Sequence, residues 1–398
     1  MAGSRRTSRA RRKPGEALRV AVCIDTRDGP GRERLLGCYQ YALEQNWRLY
    51  LIRQDNENEI ARMAAIDLDG AIFFDRSRPL QEAVKARGVV CVETGARHPD
   101  LSDAAVFVDD DALVRIAAGH LRAAGFEHLG YCGLAGSLVS TARAAHLLEQ
   151  AAAGGGDGAT GGHVFEDRWR DGQMEIEALT RWLGALPKPA GVLAYDDKMG
   201  ERVLAACRWA GIRVPDEVGV IGIGDDELIC EVTMPRLSSV ALPSRGIGRA
   251  AAETLERLLT GKKVEQRWTR VAPLEVISRA STAWLPPARP AVLKAVDFMR
   301  AQCHRPIGTD QVAAAVGLPR RTLDRVFHAD LGRTVHEYFV ELRMQGAKRL
   351  LRQTDLPLED VSRKNGYSSL SSFMRMFAAR TGKPPREYRE HCKLQRGG

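Results

Sequence analysis

The sequence lacks the short-range pairs of cysteine or histidine with which small segments hold a metal ion. None of its 8 cysteines forms a CxxC pair, and its 9 histidines show no HxxxH spacing. Most of the cysteines fall inside apolar segments, where a free thiol behaves as a small hydrophobic side chain. We therefore expect reduced core thiols and neither a structural metal nor another cofactor.

Long apolar runs are absent as well. The chain has no run of about 18 consecutive apolar residues, the length that a membrane-spanning helix needs. The basic stretch Met1–Pro14 is not followed by the apolar segment of a secretory signal. The sequence thus predicts a cytoplasmic protein with no membrane partner.

Three motifs of common nucleotide-dependent and hydrolytic enzymes are also missing. There is no GxxxxGK[ST], no GxGxxG between the first predicted strand and helix, and no GxSxG. These absences disfavour a catalytic function. A sugar- or nucleotide-dependent α/β enzyme with an accessory helical domain stays open at this point, because a fold by itself does not exclude an activity.

The net charge of +9 is unevenly distributed along the chain. Residues 1–16 carry 6 Lys or Arg and 1 acid, and residues 289–398 carry 21 Lys or Arg against 11 acids. Residues 17–288 hold 32 basic and 38 acidic side chains. A basic end attached to an acidic body is typical of a polyanion-binding module joined to another domain, although a solvated basic surface gives the same balance.

The pattern of apolar residues divides the chain into segments. Residues 1–16 are expected to form a basic disordered tail, which either touches DNA phosphates non-specifically or has no specific function. Over residues 17–281, short apolar runs alternate with amphipathic stretches, which predicts parallel strands joined by helices. Residues 282–290 (TAWLPPARP) are predicted to be a linker, because proline lacks the N–H that a helix or central strand needs. Residues 291–392 show helical patterns only.

A first segment of this helical end has the spacing of a helix-turn-helix motif. Asp310 is placed to cap a short helix, and Gly317 makes the turn. The helix that follows is predicted over Arg320–His328, with Leu323 and Phe327 facing the core.

A second segment repeats the pattern. The turn at residues 365–367 precedes a helix predicted over Ser368–Ala379, with Phe373 and Phe377 on its apolar face. Between the two motifs, Val335–Leu351 is predicted to form one long amphipathic helix that holds them at a fixed separation.

The exposed faces of the two second helices carry groups that can read DNA bases. In the first motif, Arg321 and Arg325 can each donate to guanine O6 and N7, and Asp324 can accept from cytosine N4. Arg320 is placed for a phosphate. In the second motif the candidates are three serines and one arginine: Ser369, Ser371, Ser372 and Arg375. Ordinary solvated faces of a helical bundle give the same pattern, so this alternative stays open.

Residues 312–389 resemble the AraC/XylS-type DNA-binding domain nearly end to end. The most specific matching positions are Leu323, Phe327, Leu331 and Gly332, then Arg343, Ala347, Leu350 and Leu351, and the NGY to YR pattern of Asn365–Arg389. The resemblance implies that the second helix of each motif enters one of two successive major-groove segments, ~34 Å apart on one face of the DNA. Pro319 stands where serine usually caps the first recognition helix, which predicts a weaker cap rather than a broken helix.

Residues 18–280 resemble, less sharply, the sugar-sensing domain of LacI/GalR-type repressors, which has a two-lobed periplasmic-binding-protein fold. The matching segments are VDDDALVRIAAGHLRAAGFEHLGYCG, VPDEVGVIGIGDDE and LSSVALPSRGIGRAAAETLERLL. By family position, the effector-binding candidates are Arg32, Arg143, Asp196 and Asp225. Carboxylates and guanidinium groups suit neighbouring sugar hydroxyls, although Asp or Arg at a strand end is often a cap or a rim ion pair. Gly224 stands where that family commonly has aspartate, which leaves the identity of the sugar open.

The two resemblances together match the domain order of the xylose-operon regulators. They imply a sequence-specific transcription regulator, an activator, whose binding to double-stranded DNA half-sites is switched by a small sugar. The implied effector is a pentose such as xylose, held between the two lobes. A homodimer and contact with RNA polymerase are implied as well. A non-specific, nucleoid-like DNA binder is a third class of function, which the elaborate sensor domain disfavours.

Overall fold

The computed structural model describes residues 17–52, 66–74, 78–95, 98–153, 162–167, 176–283 and 289–397 of the 398-residue chain. The predicted N-terminal tail and most of the predicted linker lie outside these residues. Within them, two α/β sheets precede a helical domain, which confirms the fold class predicted from the alternating and then strandless pattern.

The α/β part begins with elements that alternate regularly. In chain order they are β1 (Arg19–Ile24), α1 (Gly29–Glu44), β2 (Arg48–Leu51), β3 (Gly70–Phe74), α2 (Arg78–Ala86), β4 (Val90–Glu93), β5 (Ala104–Val108), α3 (Asp110–Ala123), β6 (His128–Leu134), α4 (Leu138–Ala153), β7 (His163–Asp167) and α5 (Ile176–Ala185). It continues with β8 (Ala190–Ala194), α6 (Asp197–Trp209), β9 (Val218–Gly224), α7 (Glu227–Val232), β10 (Ser238–Ala241), α8 (Ser244–Leu259), β11 (Trp268–Val271) and β12 (Val276–Ile277).

The helical part follows. Its elements are α9 (Pro290–Gln302), α10 (Thr309–Val316), α11 (Arg320–Leu331), α12 (Val335–Gln353), α13 (Leu358–Lys364), α14 (Leu370–Thr381) and α15 (Pro385–Gly397). The predicted long helix over Val335–Leu351 is confirmed and continues for two more residues.

The chain divides into two compact units, the first from Met1–Asp109 with Pro243–Ala272 and the second from Asp110–Leu242 with Pro273–Gly398. In the first unit the strand order is β11-β5-β4-β3-β1-β2, and each of these pairings is parallel. In the second the order is β12-β10-β9-β8-β6-β7, with β12 antiparallel to β10 and the other pairs parallel.

The strands form because their side chains are apolar on both faces. β8 (AGVLA) is buried along its whole length, and β9 (VGVIGIG) is buried except for its last residue. Continuous apolar runs of this kind belong to parallel strands that are covered by helices on both faces. Parallel strands also bring their carboxyl ends to one edge of the sheet, and this edge of the second unit carries three of the four predicted effector residues.

Helix packing in the first unit depends on two close approaches of backbone. A Cβ atom at Gly37 of α1 would lie 2.0 Å from the Arg245 carbonyl oxygen, and one at Gly248 of α8 would lie 2.0 Å from the Arg34 carbonyl oxygen. Larger residues at either position would force α1 and α8 apart.

The helical domain has two small cores with α12 between them. The first surrounds Leu323 and Phe327, and the second surrounds Phe373 and Phe377. All four side chains are buried, as the helical spacing predicts. In the part of the chain that the structure describes, no helix combines the length and the apolar stretch needed to cross a membrane.

Candidate nucleic-acid interface and effector residues

The first helix-turn-helix motif consists of α10 and α11. Gly317 ends α10 in the left-handed conformation, with φ of 71°, which confirms the predicted turn. The prediction that Asp310 caps α10 is wrong, because the helix starts one residue before it. The Gln311 side chain instead accepts from the Gly308 N–H at 2.9 Å, and Asp310 pairs with Arg320 at 3.3 Å.

The recognition face of α11 is exposed to solvent. Arg321 and Arg325 are exposed, and neither forms an ion pair or side-chain hydrogen bond within the described part of the chain. Arg320 is held differently, since it lies 3.3 Å from Asp310 and 3.8 Å from Asp324. The guanidinium groups of Arg321 and Arg325 are therefore accessible to a ligand. The two acids beside Arg320 offset part of its charge.

Pro319 precedes α11 and provides no side-chain cap. Helix α11 nevertheless forms over twelve residues, because the N-cap position requires an extended backbone and Pro319 has φ of −58° and ψ of 140°. This confirms the expected weak cap on an intact helix. The helix ends at Leu331, three residues later than predicted, where Gly332 adopts φ of 68°.

The second motif presents shorter side chains. Helix α14 starts at Leu370, two residues later than predicted, because the Ser369 hydroxyl caps it by accepting from the Ser372 N–H at 3.2 Å. Ser371 and Arg375 are exposed, and Ser372 is half-buried. Ser369 is thus occupied by a structural hydrogen bond, whereas Ser371 and Arg375 present free ends on the surface.

Arg343 of α12 ties the two motifs together. Its guanidinium donates to the carbonyl oxygens of Cys303, Arg305 and Ile307, at 3.3, 2.8 and 2.8 Å. The same group lies 5.6 Å from the ring centroid of Tyr367, which belongs to the turn of the second motif. One side chain therefore contacts the loop before the first motif and the turn of the second.

Arg143, a predicted effector residue, lies buried at the carboxyl edge of the second unit. Its Nε donates to Asp110 at 2.6 Å, and its Nη1 donates to the Tyr195 carbonyl oxygen at 2.9 Å. Burial opposes its charge, but Asp110 and the tyrosines Tyr131 and Tyr195 outweigh that effect and raise the pKa of Arg143. The guanidinium is a permanently charged and rigidly held donor.

Asp196 is the second residue after β8 and caps α6, where its carboxylate accepts from the Met199 N–H at 2.7 Å. Arg143 binds the carbonyl of the residue just before it, so these two predicted residues are brought together. Their strands, β6 and β8, are neighbours in the sheet. The Arg143 guanidinium and the Asp196 carboxylate together offer both donors and acceptors to a polyhydroxylated molecule.

Asp225 follows β9, the strand next to β8, and has a positive φ of 53°. Its carboxylate lies 2.9 Å from Arg279 Nη2 and 3.4 Å from Arg352 Nη1. Arg352 belongs to α12 of the helical domain. The structure therefore places this predicted effector residue between two arginines. A sugar hydroxyl that binds Asp225 would have to compete with these arginines for the carboxylate.

Arg32, the fourth predicted effector residue, belongs to the first unit. It lies in α1, is half-buried, and donates from Nη1 to the Thr26 carbonyl oxygen at 3.1 Å. This contact orients the side chain toward the loop that follows β1.

Sequence reasoning missed Asp197, which is buried beside Asp196. It accepts from the Ser239 hydroxyl at 2.5 Å and from the Asp226 N–H at 2.7 Å, and so ties α6 to β10 and to the turn after β9. Burial raises the pKa of Asp197 to about 7, although both hydrogen bonds act in the opposite direction. The doubled aspartate after β8 was the available signal. Among the described residues, no group of three or more His, Cys, Asp or Glu side chains could hold a metal ion.

Two models of protein families match this chain. Residues 118–282 match a periplasmic binding protein-like domain, and residues 312–391 match a helix-turn-helix domain. The chain therefore joins a periplasmic binding protein-like domain to a helix-turn-helix domain, the order that the sequence predicted.

Two relatives match long stretches of this chain. The chain is 29% identical to the xylose operon regulatory protein of Escherichia coli K12 over 365 residues, which span 89% of this chain and 92% of the relative. The protein of the same name from Haemophilus influenzae is 33% identical over 233 residues, which span 58% of this chain and 59% of the relative.

Two solved structures are similar to this chain over different lengths. A xylose-binding transcription activator matches 95% of this chain and 99% of its own, with a TM-score of 0.61 and 26% identity. A transcriptional regulator in complex with cellobiose matches 66% of this chain and 84% of its own, with a TM-score of 0.55 and 23% identity. This second likeness concerns the fold of the α/β domain.

Proposed function

We propose that this chain, a transcription regulator with a periplasmic-binding-protein-like sensor and an AraC-type DNA-binding domain, activates transcription in response to a pentose such as xylose. The observation that carries the proposal is the joining, in one chain, of a sensor-type fold to two helix-turn-helix motifs whose recognition faces are exposed. The relatives named for xylose operons and for xylose binding support the choice of effector.

DNA recognition in this proposal is shared unequally between the two motifs. Each recognition helix enters the major groove, and the two grooves are ~34 Å apart. Arg321 and Arg325 read guanines in the first half-site, with Asp324 as an acceptor for cytosine and Arg320 on phosphate. Arg375, with Ser371 and Ser372, reads the second, and Ser369 positions that helix through its cap. The first half-site supplies most of the specificity.

Effector recognition uses the carboxyl edge of the second sheet. Arg143 donates from a guanidinium that Asp110 and Tyr195 already hold in place, and Asp196 accepts from sugar hydroxyls. A preorganised donor loses little conformational entropy on binding. Arg32 and Asp225 complete the proposed set. The pentose can change DNA binding only through its different affinities for two states of the protein.

The proposal includes a homodimer in the cytoplasm that contacts RNA polymerase. An exposed apolar patch on the second unit supports self-association: Trp209, Leu228, Val232 and Met234 are all exposed. Met234 is tied to α6 by Arg208, which donates to its carbonyl oxygen at 2.8 Å. Contiguous exposed apolar side chains mark protein interfaces. Sedimentation of the wild type and of Val232→Asp tests this step, and an unchanged mass for the variant argues against this patch as the interface.

One experiment decides the main proposal. The full-length protein selects its site from random duplex DNA, and its affinity for that DNA is measured by fluorescence anisotropy with and without D-xylose, L-arabinose, D-ribose and D-glucose. We expect a defined sequence and a pentose-dependent affinity. No sequence preference under any sugar would overturn the regulator, and sequence-specific binding that no pentose alters would overturn the effector.

A further inference from the structure

The α/β part and the helical domain of the second unit are joined by an ion cluster around Asp225. Arg279 reaches Asp225 from the α/β side, and it also donates to Glu231 at 2.8 Å and to the Leu237 carbonyl oxygen at 3.0 Å. Arg352 reaches the other carboxylate oxygen from α12 at 3.4 Å. The side chains of Asp225 and Arg352 are only 11% and 8% exposed, so solvent screens this contact weakly.

A second contact joins the same two parts through Glu275. This residue precedes β12, and its carbonyl oxygen accepts from the Ala241 N–H at 3.0 Å, which fixes it to the sheet. One carboxylate oxygen accepts from Lys348 of α12 at 2.9 Å, and the other accepts from the Tyr388 hydroxyl of α15 at 2.5 Å. Burial acts to raise the pKa of Glu275, but these two partners lower it overall.

Both contacts converge on one face of α12. Lys348 and Arg352 are four residues apart, so their side chains project from the same side of the helix. Because α12 is the helix shared by both motifs, holding its C-terminal half fixes the direction of both recognition helices. Arg321, Arg325, Ser371 and Arg375 remain exposed, so the contact orients the DNA-binding surface without covering it.

The turn that carries Asp225 is itself tied to the proposed effector residues. The Asp225 N–H donates to the Ser239 hydroxyl at 3.0 Å, and that hydroxyl donates to Asp197, the residue next to Asp196. A chain of direct contacts therefore runs from the carboxyl end of β8, through the turn after β9, to Arg352. Such contacts couple effector binding to DNA binding only if the helical domain, at the far end of the chain of contacts, has two arrangements.

We propose that Asp225–Arg352 and Glu275 with Lys348 and Tyr388 form a latch that sets the orientation of the DNA-binding domain according to effector occupancy. The inference rests on the proposed function, because it names the regulation of the same effector residues. A ligand hydroxyl that binds Asp225 competes with Arg352 for the carboxylate, and this weakens one of the two contacts. The coupling between effector and DNA therefore passes through these side chains.

The test measures the ratio of DNA dissociation constants without and with saturating D-xylose, using the selected DNA. Arg352→Gln removes the first contact of the latch, and the double variant Lys348→Ala/Tyr388→Phe removes the second. Both variants leave the proposed base-reading and effector residues intact. Phenylalanine keeps the ring that packs on Phe377 at 5.3 Å. We expect a ratio of about 5-fold or more in the wild type, which falls to within about 2-fold in both variants. Arg349→Ala, which removes a charge from the same helix, keeps the wild-type ratio.

Exchanging the charges of Glu275 and Lys348 distinguishes loss of their contact from a general loss of stability. Glu275→Lys and Lys348→Glu each place like charges together and reduce the ratio, and the double variant restores it. Small-angle scattering without any sugar gives a readout that does not need the effector: the latch variants show a larger radius of gyration than the wild type. Unchanged coupling and an unchanged radius overturn the latch. A wild type that ignores every pentose overturns the proposed function instead, and scattering then still decides whether the contact holds the domain.

Discussion

The Arg343 guanidinium lies 5.6 Å from the ring centroid of Tyr367, while it donates to three carbonyl oxygens of the loop before the first motif. Arginine suits this position because its planar fork supplies several donors and also stacks on aromatic rings. One side chain of the helix between the two motifs thus contacts the loop before the first motif and the turn of the second.

Arg343→Met is therefore expected to loosen the spacing of the motifs. It leaves partly buried carbonyl oxygens without their donor, which costs about 1–3 kcal/mol of stability. Affinity for DNA carrying both half-sites should fall more than affinity for one half-site, in paired anisotropy titrations. Arg349→Met on the same helix serves as the control. An equal loss on both DNAs would show that Arg343 acts on stability alone.

Base reading is expected to depend on the exposed arginines. Arg325→Ala and Arg375→Ala should each relax sequence preference by about 1–3 kcal/mol at one base pair, since each removes a bidentate contact. Arg320→Ala should weaken binding to all sequences alike, and only modestly, because Asp310 and Asp324 already offset its charge. Binding to a panel of single-base variants of the selected site measures both effects. A uniform loss for Arg325→Ala would assign it to phosphate.

The two recognition helices differ in how they begin. Ser369→Ala removes the hydroxyl that accepts from the Ser372 N–H and should destabilise α14 by about 1 kcal/mol. Pro319→Ala removes no side-chain cap, so α11 should lose little by comparison. Hydrogen exchange at the first turn of each helix tests this, and faster exchange in α14 alone is the expected result. Equal effects on the two helices would contradict it.

The sequence was sufficient to predict features that depend on residues close together in the chain. Apolar runs predicted the parallel strands, and the 3.6-residue period predicted α12 to within two residues. It failed where a competing local group decided the outcome: Gln311 binds the Gly308 N–H, so α10 starts before Asp310. It also did not identify the partners of Asp225. A strand-end aspartate is compatible with an effector contact or with an ion pair, and the arginines that reach this one are distant in the chain.

Stability is expected to depend on the protonation of Asp197. Its pKa in the folded protein, about 7, lies above the ordinary value of 3.8, so the folded state binds more protons between these two pH values. The free energy of unfolding should therefore fall as pH rises from about 4 to about 7, by at most roughly 1.4 kcal/mol per pH unit. Denaturant unfolding of the wild type and Asp197→Asn at several pH values measures this contribution. Asn should flatten the profile, whereas Asp216→Asn on the surface should not.

Effector binding is expected to require the fork of Arg143 and not only its charge. Lysine at this position keeps the charge but cannot hold Asp110 and the Tyr195 carbonyl while offering a third nitrogen. A charge-assisted hydrogen bond contributes about 1.5–3 kcal/mol, so Arg143→Lys should weaken D-xylose binding by about 10-fold or more. Isothermal titration of the full-length protein measures the loss, and Arg115→Lys on the exposed face of α3 is the matched control. DNA binding without sugar should remain, because the recognition helices are untouched. Wild-type affinity for D-xylose in Arg143→Lys would remove this residue from the effector site.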